Sequence, residues 1–149
     1  MEYEITVVEL PAKHLVGLSK RMSFADAAEE CPALWEAFMI RRGEVPNVVE
    51  DYDYTYGVSA NMEKNGDFDY WAALPVSSTT EIPSRMQSLT LRAGKYAKCV
   101  VDLKSIKDAY DFLYGEWAKS HPVDFQSACF ERYARDWSEA GIELYVPLS

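Results

Sequence analysis

The chain has 149 residues, of which 24 are Asp or Glu and 15 are Lys or Arg, so its formal net charge is −9. This length suits one compact domain that buries its own core without disulfides or a metal. The acidic balance disfavours nonspecific binding of nucleic acid or anionic lipid, because both depend on Lys and Arg. Cationic ligands and basic protein partners fit this charge. Ten tyrosines exceed the needs of a core of this size, so we expect some phenols to line a site.

The N-terminus and the cysteines predict a cytoplasmic protein. The chain starts without the basic and apolar regions of a signal peptide, and no segment approaches the roughly 20 apolar residues that span a bilayer. Cys31, Cys99 and Cys129 are odd in number and widely spaced, which disfavours a disulfide framework and a structural zinc site. A Cys–His nucleophile stays open, although buried reduced cysteines are the favoured interpretation. We therefore expect no metal and no cofactor.

Two helices and several strands follow from the residue pattern. Ser23 is typical of a helix N-cap, and apolar residues at helical spacing follow it as far as Gly43, with Pro32 predicting a kink or a break into two helices. Ser105 can cap a second helix that ends at His121-Pro122. β-branched and aromatic residues predict the strands. These span residues 3–10, 14–18, 52–62, 69–76, 86–91, 96–102, 127–133 and 142–147.

The order of the elements repeats along the chain. Strand, bend, strand, helix, strand, strand occurs in residues of about 1–76 and again in about 85–149, with a stretch of linker composition between them. We therefore predict a single α+β domain over residues 1–149, built from duplicated βαββ units that form one antiparallel sheet. Helices are expected on one face, and a concave aromatic ligand groove on the other.

Glu131 is the side chain that most suggests a function. It lies in the middle of a predicted strand between aromatic residues, where strand propensity disfavours glutamate. A buried glutamate must be paired, protonated or waiting for a cation, whereas one that faces water is an ordinary solvated side chain. The residues alone leave both interpretations open, and the solvated one is the commoner in proteins.

Four motifs carry a family resemblance. They are Leu-Pro-Ala-x-x-Leu-Val-Gly at 10–17, Ala-Gly-Lys-Tyr-Ala at 93–97, Phe-Glu-Arg-Tyr at 130–133 and Glu-Leu-Tyr-Val-Pro at 143–147. With them the chain resembles the GyrI-like, AraC-type effector-binding family over residues 3–148. The resemblance implies a duplicated SHS2-type fold with a groove in which a buried glutamate and aromatic side chains attract cationic, lipophilic compounds. It matches Glu131 to that glutamate and Tyr145 to an aromatic pocket position.

Two features depart from the family pattern. A Gly-Pro-Tyr type segment starts the helices of many members, but Arg21-Met22-Ser23 and Lys104-Ser105-Ile106 stand here, so we do not expect its contacts. No helix-turn-helix precedes the first strand, which favours a stand-alone member over a transcription factor.

Aromatic residues extend the expected ligand-binding set. Strand alternation puts Tyr70 and Trp71 on opposite faces, so only one of them can line a groove, and Trp137 lies in a loop where it could act as a lid. For each aromatic residue, packing in the core is the alternative. The full set is Glu131, Tyr145, Tyr133, Tyr54, Tyr56, Tyr70, Trp71 and Trp137, with Tyr52 in register with Tyr54 and Tyr56. We expect several of the tyrosines to share the open face of the sheet with Glu131.

Three functions fit these residues. The first is a binding module for amphipathic, cationic or lipophilic small molecules. The resemblance also implies a hydrolase of strained electrophilic compounds, with Glu131 as general acid or base and a tyrosine, Tyr145, assisting. Likeness to gyrase-inhibitory members implies, as a third, an acidic module that contacts a DNA topoisomerase and itself binds neither nucleic acid nor membrane.

Overall fold

The computed structural model describes residues 3–49 and 54–149. Within them lie eight strands and three α-helices. The strands are β1 (Ile5–Leu10), β2 (Lys13–Ser23), β3 (Tyr54–Ala60), β4 (Asp67–Val76), β5 (Gln87–Leu91), β6 (Gly94–Val101), β7 (Cys129–Ala134) and β8 (Ile142–Pro147). The helices are α1 (Phe24–Arg41), α2 (Ile106–Tyr114) and the short α3 (Trp137–Ala140). Tyr52 lies outside the described residues.

The first helix begins as the sequence predicts. The Ser23 hydroxyl accepts a hydrogen bond from the Asp26 amide at 3.3 Å and donates one to the Asp26 carboxylate at 3.0 Å, which satisfies one of the unpaired amides of the first turn. The helix continues through Pro32 as one element, so the alternative of two separate helices is wrong.

The second helix is shorter than the sequence predicts. It ends at Tyr114 rather than at His121-Pro122. The Gly115 amide donates to the Asp111 carbonyl at 3.0 Å and closes the last turn. At the other end, the Ser105 side chain makes no capping bond; the Asp102 carboxylate instead accepts from the Ser105 amide at 3.0 Å and closes the turn that precedes the helix.

All eight strands form one antiparallel sheet in the order β1-β6-β8-β7-β3-β4-β2-β5. The expected α+β class with a single antiparallel sheet is confirmed. The strands β2, β4 and β3 are adjacent, as are β6, β8 and β7, and the two groups join where β3 pairs with β7. The two remaining strands each join the other half of the sheet: β1 from the first half pairs with β6, and β5 from the second half pairs with β2. This exchange was not predicted, and the repeat boundaries stay a prediction.

The sheet curls because of two short connections. β1 and β2 stand far apart in the strand order, yet only Pro11 and Ala12 link them. Two residues span less than about 11 Å between flanking Cα atoms, so the sheet bends until its two ends approach. The link between β5 and β6 is equally short and lies alongside, with Leu10 opposite Gly94 and Lys13 opposite Leu91.

The curled sheet has an outer and an inner face, and each carries its own core. On the outer face, called the helix face below, α1 packs on β2 and β4, and α2 packs on β6 and β8. The inner face lies inside the curl and is rich in aromatic residues. Its buried residues are Leu15, Tyr56, Val58, Trp71, Ala73, Leu91, Tyr96, Phe130 and Tyr145. No helix within residues 3–49 and 54–149 has the length and apolar character needed to cross a membrane.

Candidate functional site

Glu131 lies on the helix face, beside α2, and not on the inner face. In the paired strands it stands opposite Gly57 on β3 and Leu144 on β8, and Leu144 belongs to the core under α2. The expectation that Glu131 shares the open face of the sheet with several strand tyrosines is therefore wrong for most of them. The register of β3 against β7 decides this, because it places a glycine rather than a tyrosine opposite the carboxylate.

The Glu131 carboxylate is buried and is held by two phenols. Only 4% of the residue is exposed. The hydroxyl of Tyr110, on α2, donates to Oε2, and the hydroxyl of Tyr133, on the same strand as Glu131, donates to Oε1 at 3.2 Å. No ion pair among the described residues includes Glu131. The solvated interpretation of this residue is therefore wrong.

Three further residues complete the surroundings of the carboxylate. A Cβ atom on Gly57 would lie 2.6 Å from the Tyr70 hydroxyl and 3.0 Å from Glu131 Oε1, so the glycine leaves the room that both groups occupy. The Trp35 indole N–H donates to the Tyr70 hydroxyl at 2.9 Å, and the Trp35 ring meets the Tyr133 ring edge-on at 5.4 Å. We call this group the glutamate cluster. It consists of Glu131, Tyr110, Tyr133, Tyr70, Trp35 and Gly57.

Burial changes the acidity of the groups in the glutamate cluster. It raises the pKa of Glu131 to about 7, and the hydrogen bonds from Tyr110 and Tyr133 offset only part of this rise. Burial and the neighbouring Glu131 charge also raise the pKa of Tyr70 and of Tyr133, so their phenols keep their protons at neutral pH. The cluster therefore combines neutral hydrogen-bond donors with one carboxyl group that titrates near physiological pH.

The cysteines are not activated as nucleophiles. Burial raises the pKa of both Cys31 and Cys129 to about 11, and the reactive thiolate is then scarce at neutral pH. The His14 ring bonds to the Thr90 hydroxyl, and the His121 ring lies against Trp117. The Cys–His alternative that spacing left open therefore gains no support from the structure.

A cavity of about 300 Å³ opens on the helix face next to the glutamate cluster. Tyr133 and Thr55, which pair across β7 and β3, form part of its wall. This pair lies two residues along the strands from the Glu131–Gly57 pair, so the Tyr133 side chain stands between the cavity and the carboxylate. Trp137 also lines the cavity and meets the Tyr133 ring edge-on at 6.0 Å. It is the first residue of α3 rather than part of a loop; its role as a lid stays a prediction.

Four of the predicted ligand-binding residues lie on the inner face, away from Glu131. They are Tyr54, Tyr56, Trp71 and Tyr145. The strand register points their side chains to the face opposite that of Glu131. The Tyr145 hydroxyl donates to the Glu143 carboxylate at 2.8 Å, so the expected pairing of Tyr145 with Glu131 in catalysis is not formed. Whether these four residues bind a ligand stays a prediction.

Three members of the glutamate cluster lie outside the set predicted from the sequence: Tyr110, Trp35 and Gly57. Tyr110 and Trp35 lie on helices, which strand alternation does not reach. One signal lies in Gly57, because a glycine inside a strand indicates the close approach of another group.

Comparisons with known proteins agree with this fold. A family model named Cass2, for integron-associated effector binding protein, matches residues 6–148. The transcriptional regulator BrlR of Pseudomonas aeruginosa is 25% identical over an alignment of 151 positions, which covers 95% of this chain and 54% of that protein. The chain thus spans about half the length of this curated relative.

Two solved structures share the fold at low sequence identity. The integron cassette protein VCH_CASS2 of Vibrio cholerae superposes with a TM-score of 0.73 at 18% identity, over 99% of this chain and 97% of that one. The structure of SAV2435 bound to tetraphenylphosphonium superposes with a TM-score of 0.74 at 18% identity, over 100% and 94% of the two chains.

Proposed function

The chain belongs to the family of integron-associated effector-binding proteins, and we propose that its effectors are amphipathic cations that bind at Glu131. Membership in the family makes it an effector-binding protein, and a relative of the same fold, SAV2435, binds tetraphenylphosphonium. The choice of a cation and of the residue that receives it is our proposal. It depends on the chemistry of the glutamate cluster.

One observation carries this proposal: a carboxylate that is 4% exposed has phenols as its hydrogen-bond partners in the described structure. An ionised carboxylate loses most of its hydration at such a site, and two neutral donors replace only part of it. A cation that enters the site supplies the missing opposite charge where the low dielectric strengthens the attraction. The rings of Trp35 and Tyr133 add cation–π attraction and apolar contact.

The cavity of about 300 Å³ beside Tyr133 supplies the route of entry. Met39 and Trp137 give its wall apolar area, and Arg42 and Arg135 also line it. The two guanidinium groups repel any cation at this entrance, and the ionised Glu131 carboxylate offsets that repulsion. A cation that enters must therefore draw much of its affinity from apolar contact, which favours lipophilic cations. Rotation of the Tyr133 side chain then joins the cavity to the carboxylate.

The test is Glu131→Gln with tetraphenylphosphonium as the cation and triphenylphosphine oxide as a neutral comparator. We expect the substitution to weaken tetraphenylphosphonium by at least about tenfold, or about 1.4 kcal/mol, and to leave the neutral compound nearly unchanged, because only the cation uses the charge. Isothermal titration calorimetry at pH 8, where Glu131 is ionised, measures both affinities.

Glu36→Gln is the matched control, since it removes the same charge from an exposed position of α1. It should leave both affinities unchanged. Equal losses for the cation and the neutral compound in Glu131→Gln, or no loss for either, would contradict the proposal. The hydrolase and topoisomerase-contacting alternatives stay predictions, and no specific contact among the described residues favours either.

A further inference from the structure

A second cavity, of about 250 Å³, opens on the inner face of the sheet. It lies between the two short connections of the sheet, and both contribute to its lining: Pro11 from the link between β1 and β2, and Arg92 from the link between β5 and β6. The sheet itself separates it from the glutamate cluster, because Glu131 points outward from β7 while its neighbours Phe130 and Arg132 point inward and line this cavity. The proposed function does not use it.

The floor of this cavity is a continuous layer of aromatic rings. Phe130 and Tyr145 are stacked, with ring centroids 4.7 Å apart and planes inclined by 18°. Tyr96 meets Phe130 edge-on at 5.5 Å, and Tyr56 lies 5.8 Å from Phe130 on its other side. All four rings line the cavity, and their bodies are held by the buried inner-face core. An aromatic ring packs on such a floor in offset-stacked or edge-on geometry.

The rim of the cavity carries cations. Lys13, Arg92 and Arg132 line it, and none of the lining residues within 3–49 and 54–149 is acidic. The Lys13 ammonium lies 5.5 Å from the centre of the Tyr56 ring, and the Arg92 guanidinium lies 5.5 Å from that of Tyr96. The chain has a net charge of −9, so three cationic side chains around one cavity are contrary to its overall charge.

Two of these cations are held in place by acids that lie outside the lining. Arg132 pairs with Glu143 at 3.1 Å and donates to the Tyr56 hydroxyl at 3.1 Å. Arg92 pairs with Asp124 at 3.4 Å. Each guanidinium has five N–H donors, so one that is anchored by a carboxylate can still donate to a second acceptor. The rim is therefore an ordered set of donors above an aromatic floor.

We propose that this inner-face cavity is a second binding site, and that its ligand is a planar aromatic anion such as an aryl carboxylate. The ring of the ligand stacks on the floor of Phe130 and Tyr145, and its carboxylate meets Lys13 and Arg132 at the rim. A simple anion such as sulfate gains nothing from the floor. An aromatic cation is repelled by the rim, and Glu131, which offsets such repulsion at the first cavity, lies on the other face of the sheet. Among small molecules, an aromatic anion alone uses both features.

The test uses 2-naphthoate as the anion and 2-naphthamide as a neutral compound of the same shape, titrated into the full chain by calorimetry. We expect 2-naphthoate to bind at least tenfold more tightly than 2-naphthamide, and Lys13→Met to remove that advantage. Lys95→Met is the matched control, because Lys95 is exposed and lies outside the cavity lining; it should change neither affinity. Thermal unfolding checks that both variants fold.

A crossed comparison separates this site from the glutamate cluster. Glu131→Gln should leave 2-naphthoate binding unchanged, and Lys13→Met should leave tetraphenylphosphonium binding unchanged. Equal affinity of 2-naphthoate and 2-naphthamide, or loss of 2-naphthoate binding in Glu131→Gln, would overturn the proposal. So would sedimentation showing a dimer that Lys13→Glu converts to a monomer, since a second copy of the chain would then cover the cavity.

Discussion

As pH rises from 4 to 8, the unfolding free energy of the parent protein is expected to fall by about 3 kcal/mol relative to that of Glu131→Gln. Burial raises the pKa of Glu131 in the folded protein to about 7, from an ordinary value of 4.5. Between these two values the folded chain holds a proton that the unfolded chain has released. The stabilisation is therefore complete below pH 4.5 and is lost as pH rises through 7, at about 1.4 kcal/mol for each pH unit.

Urea unfolding of both proteins at several pH values between 4 and 8 measures this difference. The other titrating groups are common to the two proteins, so their contributions largely cancel in the subtraction. Glu36→Gln, which removes an exposed carboxylate, should differ from the parent by a nearly constant amount over the same range. A constant difference for Glu131→Gln as well would show that the carboxyl group is not held protonated by burial.

Gly57→Ala is expected to cost about 1–3 kcal/mol of stability and to weaken tetraphenylphosphonium at least tenfold. The added methyl group would lie 2.6 Å from the Tyr70 hydroxyl and 3.0 Å from the Glu131 carboxylate. Tyr70 is 6% exposed and accepts the Trp35 indole N–H at 2.9 Å, so it has little room to retreat. Overpacking of this kind commonly costs a few kcal/mol, and it displaces the carboxylate that the cation needs.

Gly43→Ala is the matched control for this prediction, because a Cβ atom on Gly43 meets nothing within 4 Å. It should not lower the urea midpoint, since alanine at such an open site costs the folded state nothing, and it should leave the affinity for tetraphenylphosphonium unchanged. If Gly57→Ala binds the cation as tightly as the parent protein, the ligand does not reach the space between Gly57 and Glu131. The cavity beside Tyr133 would then hold the ligand without contact to the carboxylate.

The sequence predicts the elements of this fold better than it predicts their arrangement. Local signals determine the elements: the Ser23 cap starts α1 and the alternating aromatic residues of β3 and β4 form a hairpin. The exchange of β1 and β5 between the two halves depends on pairings between distant parts of the chain, which no local pattern records. The early end of α2 depends on Gly115, where a Cβ atom would lie 2.7 Å from the Asp111 carbonyl oxygen that closes the last turn.

For the candidate site too, the sequence predicts which residues of one strand share a face but not how the strands and helices are arranged around them. Alternation along β7 correctly groups Glu131 with Tyr133 and Cys129, because neighbouring residues of one strand alternate by geometry. It cannot say which face of the sheet that group occupies, since this depends on where the helices pack. The expectation that tyrosines of β3 and β8 share a face with Glu131 is wrong for this reason, because the register between strands puts Tyr56 and Tyr145 on the other face.

The two faces of the sheet consequently offer opposite chemistry. The helix face buries a carboxylate among phenols, and the inner face surrounds an aromatic floor with Lys13 and two arginines. Tyrosines lie on both faces: Tyr70, Tyr110 and Tyr133 in the glutamate cluster, and Tyr54, Tyr56, Tyr96 and Tyr145 on the inner face. The acidic net charge of the chain predicts neither site, because each depends on a few charges in particular places rather than on their sum.

Proton release on cation binding tests the central claim most directly. At pH 6 the free protein holds its Glu131 proton in about nine molecules of ten, given a pKa of about 7, and a cation that pairs with the carboxylate must expel it. Calorimetric titration with tetraphenylphosphonium in two buffers of different ionisation enthalpy, phosphate and MES at pH 6 and phosphate and Tris at pH 8, counts the released protons. We expect about 0.9 proton per bound cation at pH 6, about 0.1 at pH 8, and none at either pH for Glu131→Gln. Binding at pH 6 without proton release from the parent protein would contradict the account.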